Sequence, residues 1–157
     1  MKQDSKIGVI SDTHVRSFEE LPEALVKALA ECDLIIHAGD IINMKVIRGL
    51  EDLAPVIAVH GNMDQPEVWS ALPDRRIIEA AGRKIGVVHG SGGPEEVWKR
   101  VKTLFSEVDI IIFGHTHEPM NKSVDGVLLF NPGRASQSYG IIEIGEAMKG
   151  WIRRNYY

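Results

Sequence analysis

The sequence predicts a mixed α/β fold, and three features of its hydrophobic pattern support this. Short apolar runs rich in β-branched residues hardly alternate with polar residues, which is typical of strands buried on both faces of a sheet. Segments with an apolar residue every three or four positions lie between several of these runs and indicate helices covering the sheet. After Pro119 only strand patterns follow. We therefore expect helices and strands to alternate first and strands to dominate the end of the chain.

The strands are predicted from the apolar runs in chain order. Five buried strands are expected at residues 7–10, 34–36, 56–59, 85–88 and 110–113. The run Ile77-Ile78 and the strand at 85–88 flank a turn at 81–84, which predicts a hairpin. Three more strands are expected at residues 127–130, 141–144 and 148–157.

Three helices are predicted from apolar stripes with helical spacing. The first has Pro22 in its first turn, and its stripe is Leu21, Leu25, Leu29 and Cys32. Asn43 is a suitable N-cap for the second, whose inner face is Val46, Ile47, Leu50 and Leu53. The third is expected to open at Gly93-Pro94, and its stripe is Val97, Val101, Leu104, Phe105 and Val108.

Length and composition narrow the class of protein. With 157 residues, the chain is expected to form one domain spanning residues 1–157. Its 44% apolar and 25% charged residues are ordinary for a soluble globular protein, and a net charge of −4 argues against nonspecific nucleic-acid binding. Cys32 is the only cysteine, and no signal-peptide core or membrane span is recognisable, so we expect a reducing, cytoplasmic location.

All six histidines lie at or just after the end of an apolar run. The polar groups that follow the five runs are Asp12-Thr13-His14, His37-Ala38-Gly39-Asp40, His60-Gly61-Asn62-Met63-Asp64, His89-Gly90 and Gly114-His115-Thr116-His117. Ligands of open α/β sheets bind beyond the carboxyl ends of the strands. We therefore expect these side chains to share one rim.

Carboxylate, amide and imidazole groups without a thiolate favour Mn, Fe, Zn or Ni. Two divalent ions held by two aspartates and a bridging hydroxide would leave a net charge of about +1, which suits an anionic phosphoester.

Each of these residues, taken alone, also has an explanation that involves no metal. Asn62 suits a turn, and Asp12 or Asp40 suits a helix N-cap. Agreement among five clusters favours the metal site.

The ordered motifs D-x-H, G-D, G-N-x-D, H and G-H-x-H resemble those of the calcineurin-like metallophosphoesterase superfamily, in particular its small prokaryotic phosphodiesterases. The resemblance covers residues 7 to about 145. It implies a four-layer α/β/β/α sandwich in which two mixed sheets are flanked by helices. It also implies two divalent metal ions, with Mn²⁺ favoured.

The same resemblance implies a role for each motif residue. Asp12, His14 and His117 would hold the first metal ion and Asn62, His89 and His115 the second, with Asp40 bridging both. Asp40, Asn62 and His89 would serve catalysis through in-line attack of a metal-bridging hydroxide on phosphorus. Met63 stands where much of the superfamily has a histidine that assists the leaving group, and a thioether cannot transfer a proton. Asp64, which would orient that histidine, is then left to support the site.

Other polar residues have weaker claims. His37 and His60 match no ligand position and are expected to pack or hydrogen-bond near the site. Ser91 lies in the segment Gly90-Ser91-Gly92-Gly93, which either offers backbone N–H groups to a phosphate or is a flexible loop. Arg134, after the loop Asn131-Pro132-Gly133, either contacts a phosphate or is solvated.

The predicted function is hydrolysis of a small phosphodiester by a dinuclear metal centre, with no specific nucleic-acid partner and no membrane association. Two alternatives stay open: a phosphomonoesterase with the same centre, and a noncatalytic interaction module of the retromer-subunit type. Trp151, Tyr156 and Tyr157 suit either an edge strand or a contact between copies in a homo-oligomer.

Overall fold

In the computed structural model, which describes residues 4–155, two five-stranded sheets pack face to face. The strands are β1 (Ser5–Ile10), β2 (Leu34–His37), β3 (Val56–Ala58), β4 (Arg75–Ala80), β5 (Arg83–Val88), β6 (Ile110–Ile112), β7 (Met120–Val124), β8 (Val127–Asn131), β9 (Ser138–Ile144) and β10 (Met148–Arg154). The helices are α1 (Glu23–Leu29), α2 (Met44–Glu51), α3 (Pro66–Ala71) and α4 (Val97–Lys102), with a 3₁₀ turn at Phe18–Glu20.

Both sheets are mixed, with parallel strands at their centres. The first has the order β10-β9-β1-β2-β3, in which β1, β2 and β3 are parallel. The second has the order β4-β5-β6-β8-β7, in which β5, β6 and β8 are parallel. Parallel strands end at the same edge of a sheet, so the segments after β1, β2 and β3 emerge together, as do those after β5 and β6.

Side-chain alternation along the strands explains the layers. On β1, Ile7 and Val9 enter the core between the two sheets, while Ile10 faces the helices α1 and α2. A third cluster lies between the second sheet and α4. Because each central strand is covered on both faces, its sequence hardly alternates. The predicted four-layer α/β/β/α sandwich is confirmed.

The five early strands, the hairpin β4–β5 and the N-cap Asn43, whose side chain accepts from the Lys45 N–H, are confirmed. Several boundaries differ slightly from the prediction: Pro22 caps α1, Cys32 and Leu53 follow the ends of α1 and α2, β9 begins at Ser138, and β10 ends at Arg154. Tyr156 and Tyr157 lie outside the described residues. The 3₁₀ turn, α3 and β7 were not predicted.

The prediction that the third helix opens at Gly93-Pro94 is wrong. Helix α4 begins at Val97, because Glu96 adopts a left-handed backbone with φ of 55°. The Arg100 guanidinium also donates to the carbonyl oxygens of Ser91, Gly93 and Glu95, which holds this segment as a loop.

Helix α4 also ends earlier than predicted, at Lys102. Leu104, Phe105 and Val108, predicted on its apolar stripe, therefore lie beyond the helix, and Leu104 is 44% exposed. The segment from Gly90 to Gly93 is followed by further loop residues before α4 begins, and contact between its backbone N–H groups and a phosphate stays a prediction. Between residues 4 and 155 no helix is long and apolar enough to cross a membrane.

Candidate metal centre

The carboxyl ends of the strands bring five of the seven predicted ligands into direct proximity. Asp12 Oδ1 lies 3.3 Å from His117 Nε2, 3.7 Å from His14 Nε2 and 3.8 Å from His89 Nε2. Asp40 Oδ2 lies 3.2 Å from His89 Nε2 and 3.6 Å from His14 Nε2. These side chains follow β1, β2, β5 and β6, so both sheets contribute to one cluster.

Two subsets of this cluster have the arrangement of a metal site. One ligand atom each from Asp12, His14 and His117 lies within 4.8 Å of the others, and the same holds for Asp12, Asp40 and His89. Asp12, Asp40 and His89 are buried, whereas the side chains of His14 and His117 are 32% and 41% exposed. The cluster therefore has a buried base and a side open to solvent.

Two buried atoms show that a cation fits this cluster. Asp12 Oδ1 and His89 Nε2 are shielded from solvent and have no hydrogen-bond partner. Burying such groups unpaired costs free energy. Ring nitrogens and carboxylate oxygens together suit a divalent transition metal, so the residues present fit a divalent metal ion.

The opposite ring nitrogen of His89 fixes how the imidazole is presented. Its Nδ1 lies 2.7 Å from the Ala38 carbonyl oxygen. A carbonyl only accepts, so Nδ1 carries the hydrogen and Nε2 keeps its lone pair. Hydrogen bonds of this kind orient metal-binding histidines.

His115 has the same arrangement with the nitrogens exchanged. Its Nε2 lies 2.7 Å from the Gly92 carbonyl oxygen, which leaves the lone pair on Nδ1. Its ring packs edge-to-face against His89, with the ring centroids 5.4 Å apart. Asn62 is exposed and lines a cleft together with His89. Both residues thus adjoin the cluster on its His89 side.

The charges of the cluster shift several pKa values. Burial tends to raise the pKa of Asp12, but the nearby imidazoles of His14, His89 and His117 and the hydrogen bond from the Ser11 hydroxyl outweigh it and lower the pKa to about 2. The nearby Asp12 carboxylate raises the pKa of His14. Burial opposes protonation of His89, yet Asp40 and Asp12 raise its pKa above the usual value. The Asp12 carboxylate is therefore ionised and attracts cations.

Five candidate ligands adopt a backbone conformation that is uncommon outside glycine. The φ angles are 54° for Asp12, 51° for His14, 58° for Asp40, 71° for His115 and 66° for His117. Asp and His tolerate this left-handed region better than most residues. Such conformations cluster at functional sites, where the surrounding structure enforces them.

Asp64 holds the loops that carry Asp40 and Asn62. Its carboxylate accepts hydrogen bonds from the backbone N–H groups of Asp40, Ile41, Ile42 and Gly61 at 2.6 to 3.0 Å. The neighbouring Met63 is 59% exposed, and its backbone N–H donates to Asp40 Oδ1 at 2.8 Å. Asp64 therefore supports the site through the backbone.

Several supporting contacts of residues near the site could not be predicted from the sequence. Ser11 donates to Asp12 Oδ2 at 2.6 Å, and Asn131 Nδ2 donates to the Gly114 carbonyl and to the Thr116 hydroxyl. Serine and asparagine at strand ends are common, and only the fold shows what they contact.

His37 and His60 were expected to pack or hydrogen-bond near the site. His37 is buried and forms a hydrogen bond with the Thr13 hydroxyl, and His60 stacks on Trp69.

Ser91 and Arg134, the two weaker candidates for contact with a phosphate, lie in different surroundings. Ser91 is exposed and lines the same cleft as Asn62. Arg134 is half-buried, and its Nε is shielded without a hydrogen-bond partner. The following residue, Ala135, donates its N–H to the Ser11 carbonyl, which fixes this loop beside Asp12.

Comparisons with known proteins agree with this architecture. Residues 6–145 match the model of the calcineurin-like phosphoesterase superfamily domain. A probable metallophosphoesterase of Methanocaldococcus jannaschii is 44% identical over 132 residues, which span 81% of this chain and 66% of that protein. A phosphodiesterase of the same organism is 32% identical, with 82% of each chain covered.

Solved structures show the same fold. A Thermotoga maritima protein solved by solution NMR has a TM-score of 0.74 and 33% identity, covering 96% of this chain and 99% of its own. Vps29 of Entamoeba histolytica, at 24% identity and a TM-score of 0.74, covers 95% of this chain and 98% of its own and shows the fold alone. With the family model matching most of its length, the chain belongs to the calcineurin-like phosphoesterase superfamily.

Proposed function

We propose that the protein is a dinuclear metal-dependent phosphodiesterase that hydrolyses a small phosphodiester. The observation that carries this proposal is the convergence of Asp12 and Asp40 with three imidazoles, including buried atoms of Asp12 and His89 that lack partners. The similarity to a phosphodiesterase of M. jannaschii favours the diester.

The proposed ligand assignment divides the cluster between two sites. Asp12, His14 and His117 would hold one divalent ion and Asn62, His89 and His115 the other, while Asp40 bridges. The bridging role of Asp40 is supported by its Oδ2, which lies within 3.6 Å of an imidazole from each set. We propose Mn²⁺ as the favoured metal, with Fe, Zn or Ni as alternatives.

Divalent ions bound there would lower the pKa of a water molecule toward about 7 and supply positive charge to the phosphoryl oxygens. The chain contributes orientation: Ala38 and Gly92 fix the rings of His89 and His115, and Asp64 fixes the loops of Asp40 and Asn62. Asn62, Arg134 and Ser91 are proposed substrate contacts. Met63 cannot donate a proton, so the centre favours esters whose leaving groups depart without one.

A direct test uses bis(p-nitrophenyl) phosphate, whose leaving group needs no protonation. Chelation should abolish its hydrolysis and Mn²⁺ should restore it, while Asp40→Asn should lower kcat by at least ~100-fold because both proposed sites lose a carboxylate. Asp125→Asn changes an exposed carboxylate that pairs with Lys102 and is the matched control. This variant should keep the wild-type rate and the wild-type dependence on Mn²⁺. An Asp40→Asn variant with unchanged metal content and rate would refute the bridging assignment.

A phosphomonoesterase is the alternative with the same chemistry. Comparing kcat/KM for p-nitrophenyl phosphate and for bis(p-nitrophenyl) phosphate separates the two, since both release the same group. The diesterase proposal requires the diester to be preferred. A noncatalytic interaction module is the other alternative, and it would bind metal without turning over either ester.

We propose a cytoplasmic location as part of the same account. Cys32 is the single cysteine and is buried as a free thiol, which suits a reducing compartment.

A further inference from the structure

A cleft of about 610 Å³ adjoins the candidate metal centre. Asn62 and His89 belong to its lining, which places it on the His89 side of the cluster. Trp69 and Leu104 line the same cleft and are 51% and 44% exposed. Large apolar side chains exposed beside a catalytic cleft indicate contact with an apolar group.

Trp69 is held in place by the residue beneath it. Its ring stacks on His60 with the centroids 3.7 Å apart and the planes 24° from parallel. His60 is 7% exposed, and its backbone N–H donates to the Pro73 carbonyl at 3.0 Å. The indole therefore has a fixed support on one face while half of its side chain stays exposed.

The imidazole of His60 contributes to this site by packing against Trp69. Its Nδ1 is buried and has no hydrogen-bond partner. His60 also precedes Gly61-Asn62 directly, so the stack is connected by backbone to a proposed metal ligand. A rigid indole in this position loses little conformational freedom when a ligand ring packs on it.

The charges around the cleft favour an uncharged group. Asp74 and Arg75 are adjacent, exposed and opposite in sign. Arg100 also lines the cleft, but its guanidinium donates to the carbonyls of Ser91, Gly93 and Glu95. These three side chains leave a net charge of +1, but most N–H groups of the Arg100 guanidinium are already used by loop carbonyls and are not free to bind a second phosphate. A flat ring suits Trp69 and Leu104 better.

We propose that this cleft is a subsite for a flat aromatic ring on one ester group of the substrate, and that Trp69 determines this specificity. The proposal rests on the phosphodiesterase function for the position of the phosphoryl group. Aryl and nucleoside esters share the required chemistry, because each carries a ring that stacks on an indole.

Calorimetric titration of the Mn²⁺-loaded protein tests the subsite without turnover. Benzylphosphonate and ethylphosphonate carry the same anionic head and differ in the ring, and their P–C bonds resist hydrolysis. We expect benzylphosphonate to bind about tenfold more tightly, as stacking on an indole typically provides. The phosphonate analogue of thymidine 5′-monophosphate forms the second arm. Its binding more tightly than benzylphosphonate identifies a nucleoside ester, and the reverse identifies an aryl ester.

Variants of Trp69 assign the preference to the indole. Trp69→Leu keeps an apolar side chain over His60 and should abolish the preference for the ring, and Trp69→Phe should retain most of it. Trp98→Leu is the matched control, since Trp98 is half-buried on α4 and does not line the cleft.

Equal affinities for the two phosphonates, no binding of either, or an unchanged preference in Trp69→Leu would overturn the subsite. Hydrolysis of bis(p-nitrophenyl) phosphate, measured on the same preparation, keeps the two proposals separate. Turnover without ring preference removes the subsite alone, and ring preference without turnover removes the phosphodiesterase function alone.

Discussion

Asp12 uses its two carboxylate oxygens differently. Oδ2 accepts from the Ser11 hydroxyl at 2.6 Å and from the His115 backbone N–H at 3.3 Å, which fixes the side chain. Oδ1 is buried without a hydrogen-bond partner and faces three imidazole nitrogens. This division matches the common pattern in which hydrogen bonds from surrounding residues orient a ligand atom. No sequence pattern distinguishes the two oxygens, although the motif D-x-H identifies the residue.

His37 shows a different use of a histidine near the same site. Its Nδ1 accepts from the Gly39 N–H at 3.1 Å, so Nε2 carries the hydrogen and donates to the Thr13 hydroxyl at 3.1 Å. Complete burial lowers the pKa of His37 to about 3. A second ring proton would point at the Gly39 donor, so the folded protein keeps this ring neutral.

We predict that His37 makes the metal-free protein less stable as the pH falls. The unfolded chain takes up a proton near pH 6.5, whereas the folded chain does not until about pH 3, so acidification between these values favours unfolding. Urea unfolding of wild type and His37→Gln at pH 7.5 and pH 5, with chelator present, measures the effect. The free energy of unfolding should fall more for wild type. Equal losses in the two proteins would contradict the assignment.

Among the secondary-structure elements, the strands were predicted best because they are buried on both faces. Residues 7–10 and 110–113 are nearly uninterrupted runs rich in β-branched residues, which are typical of a strand buried on both faces. The start of α4 was predicted wrongly because the Arg100 side chain donates hydrogen bonds to carbonyl oxygens of the preceding loop. The spacing of apolar residues does not reveal such a contact. Helix α3 was missed because six residues provide too little periodicity.

The loop after β3 depends on a residue without a side chain. A Cβ atom at Gly61 would collide with the Asp40 carboxylate and approach the Asp40 backbone nitrogen to 2.5 Å. Backbone from two loops therefore passes close to the proposed bridging ligand only because position 61 is glycine.

We predict that Gly61→Ala weakens Mn²⁺ binding by at least ~10-fold, because the added methyl group displaces Asp40. A tenfold loss corresponds to about 1.4 kcal/mol of binding free energy. Gly93→Ala is the matched control, since a Cβ there meets nothing within 4 Å. Calorimetric titration with Mn²⁺ measures both. Wild-type affinity in Gly61→Ala would show that the loop tolerates the methyl group and that the close packing is unimportant.

For the whole molecule, the site connects the two sheets. Asp12 and Asp40 follow strands of the first sheet, and His89, His115 and His117 follow strands of the second. Direct hydrogen bonds already cross between them, from His89 Nδ1 to the Ala38 carbonyl and from the His115 N–H to Asp12. The spacing of the motifs predicted convergence on one rim. Sequence alone did not predict that the rim joins two sheets; that expectation came from the family resemblance.

We predict that Mn²⁺ stabilises the fold, because an ion held by both sheets binds the folded state in preference to the unfolded chain. At a free Mn²⁺ concentration of 100 times Kd, the stabilisation is about 2.7 kcal/mol. For a chain of this size the melting temperature should rise by roughly 5–10 °C, which calorimetry would measure. Asp40→Asn should lose most of the increase. An equal increase in that variant would place the stabilising ion elsewhere.

The proposed centre holds a pair of metal ions with side chains from both sheets. An anomalous-scattering map of a crystal grown with excess Mn²⁺ would locate these ions and the side chains around them. We predict two peaks roughly 3.5–4 Å apart, one beside Asp12, His14 and His117 and one beside Asn62, His89 and His115, with Asp40 between them. A single peak, or peaks bound by other residues, would contradict the dinuclear centre.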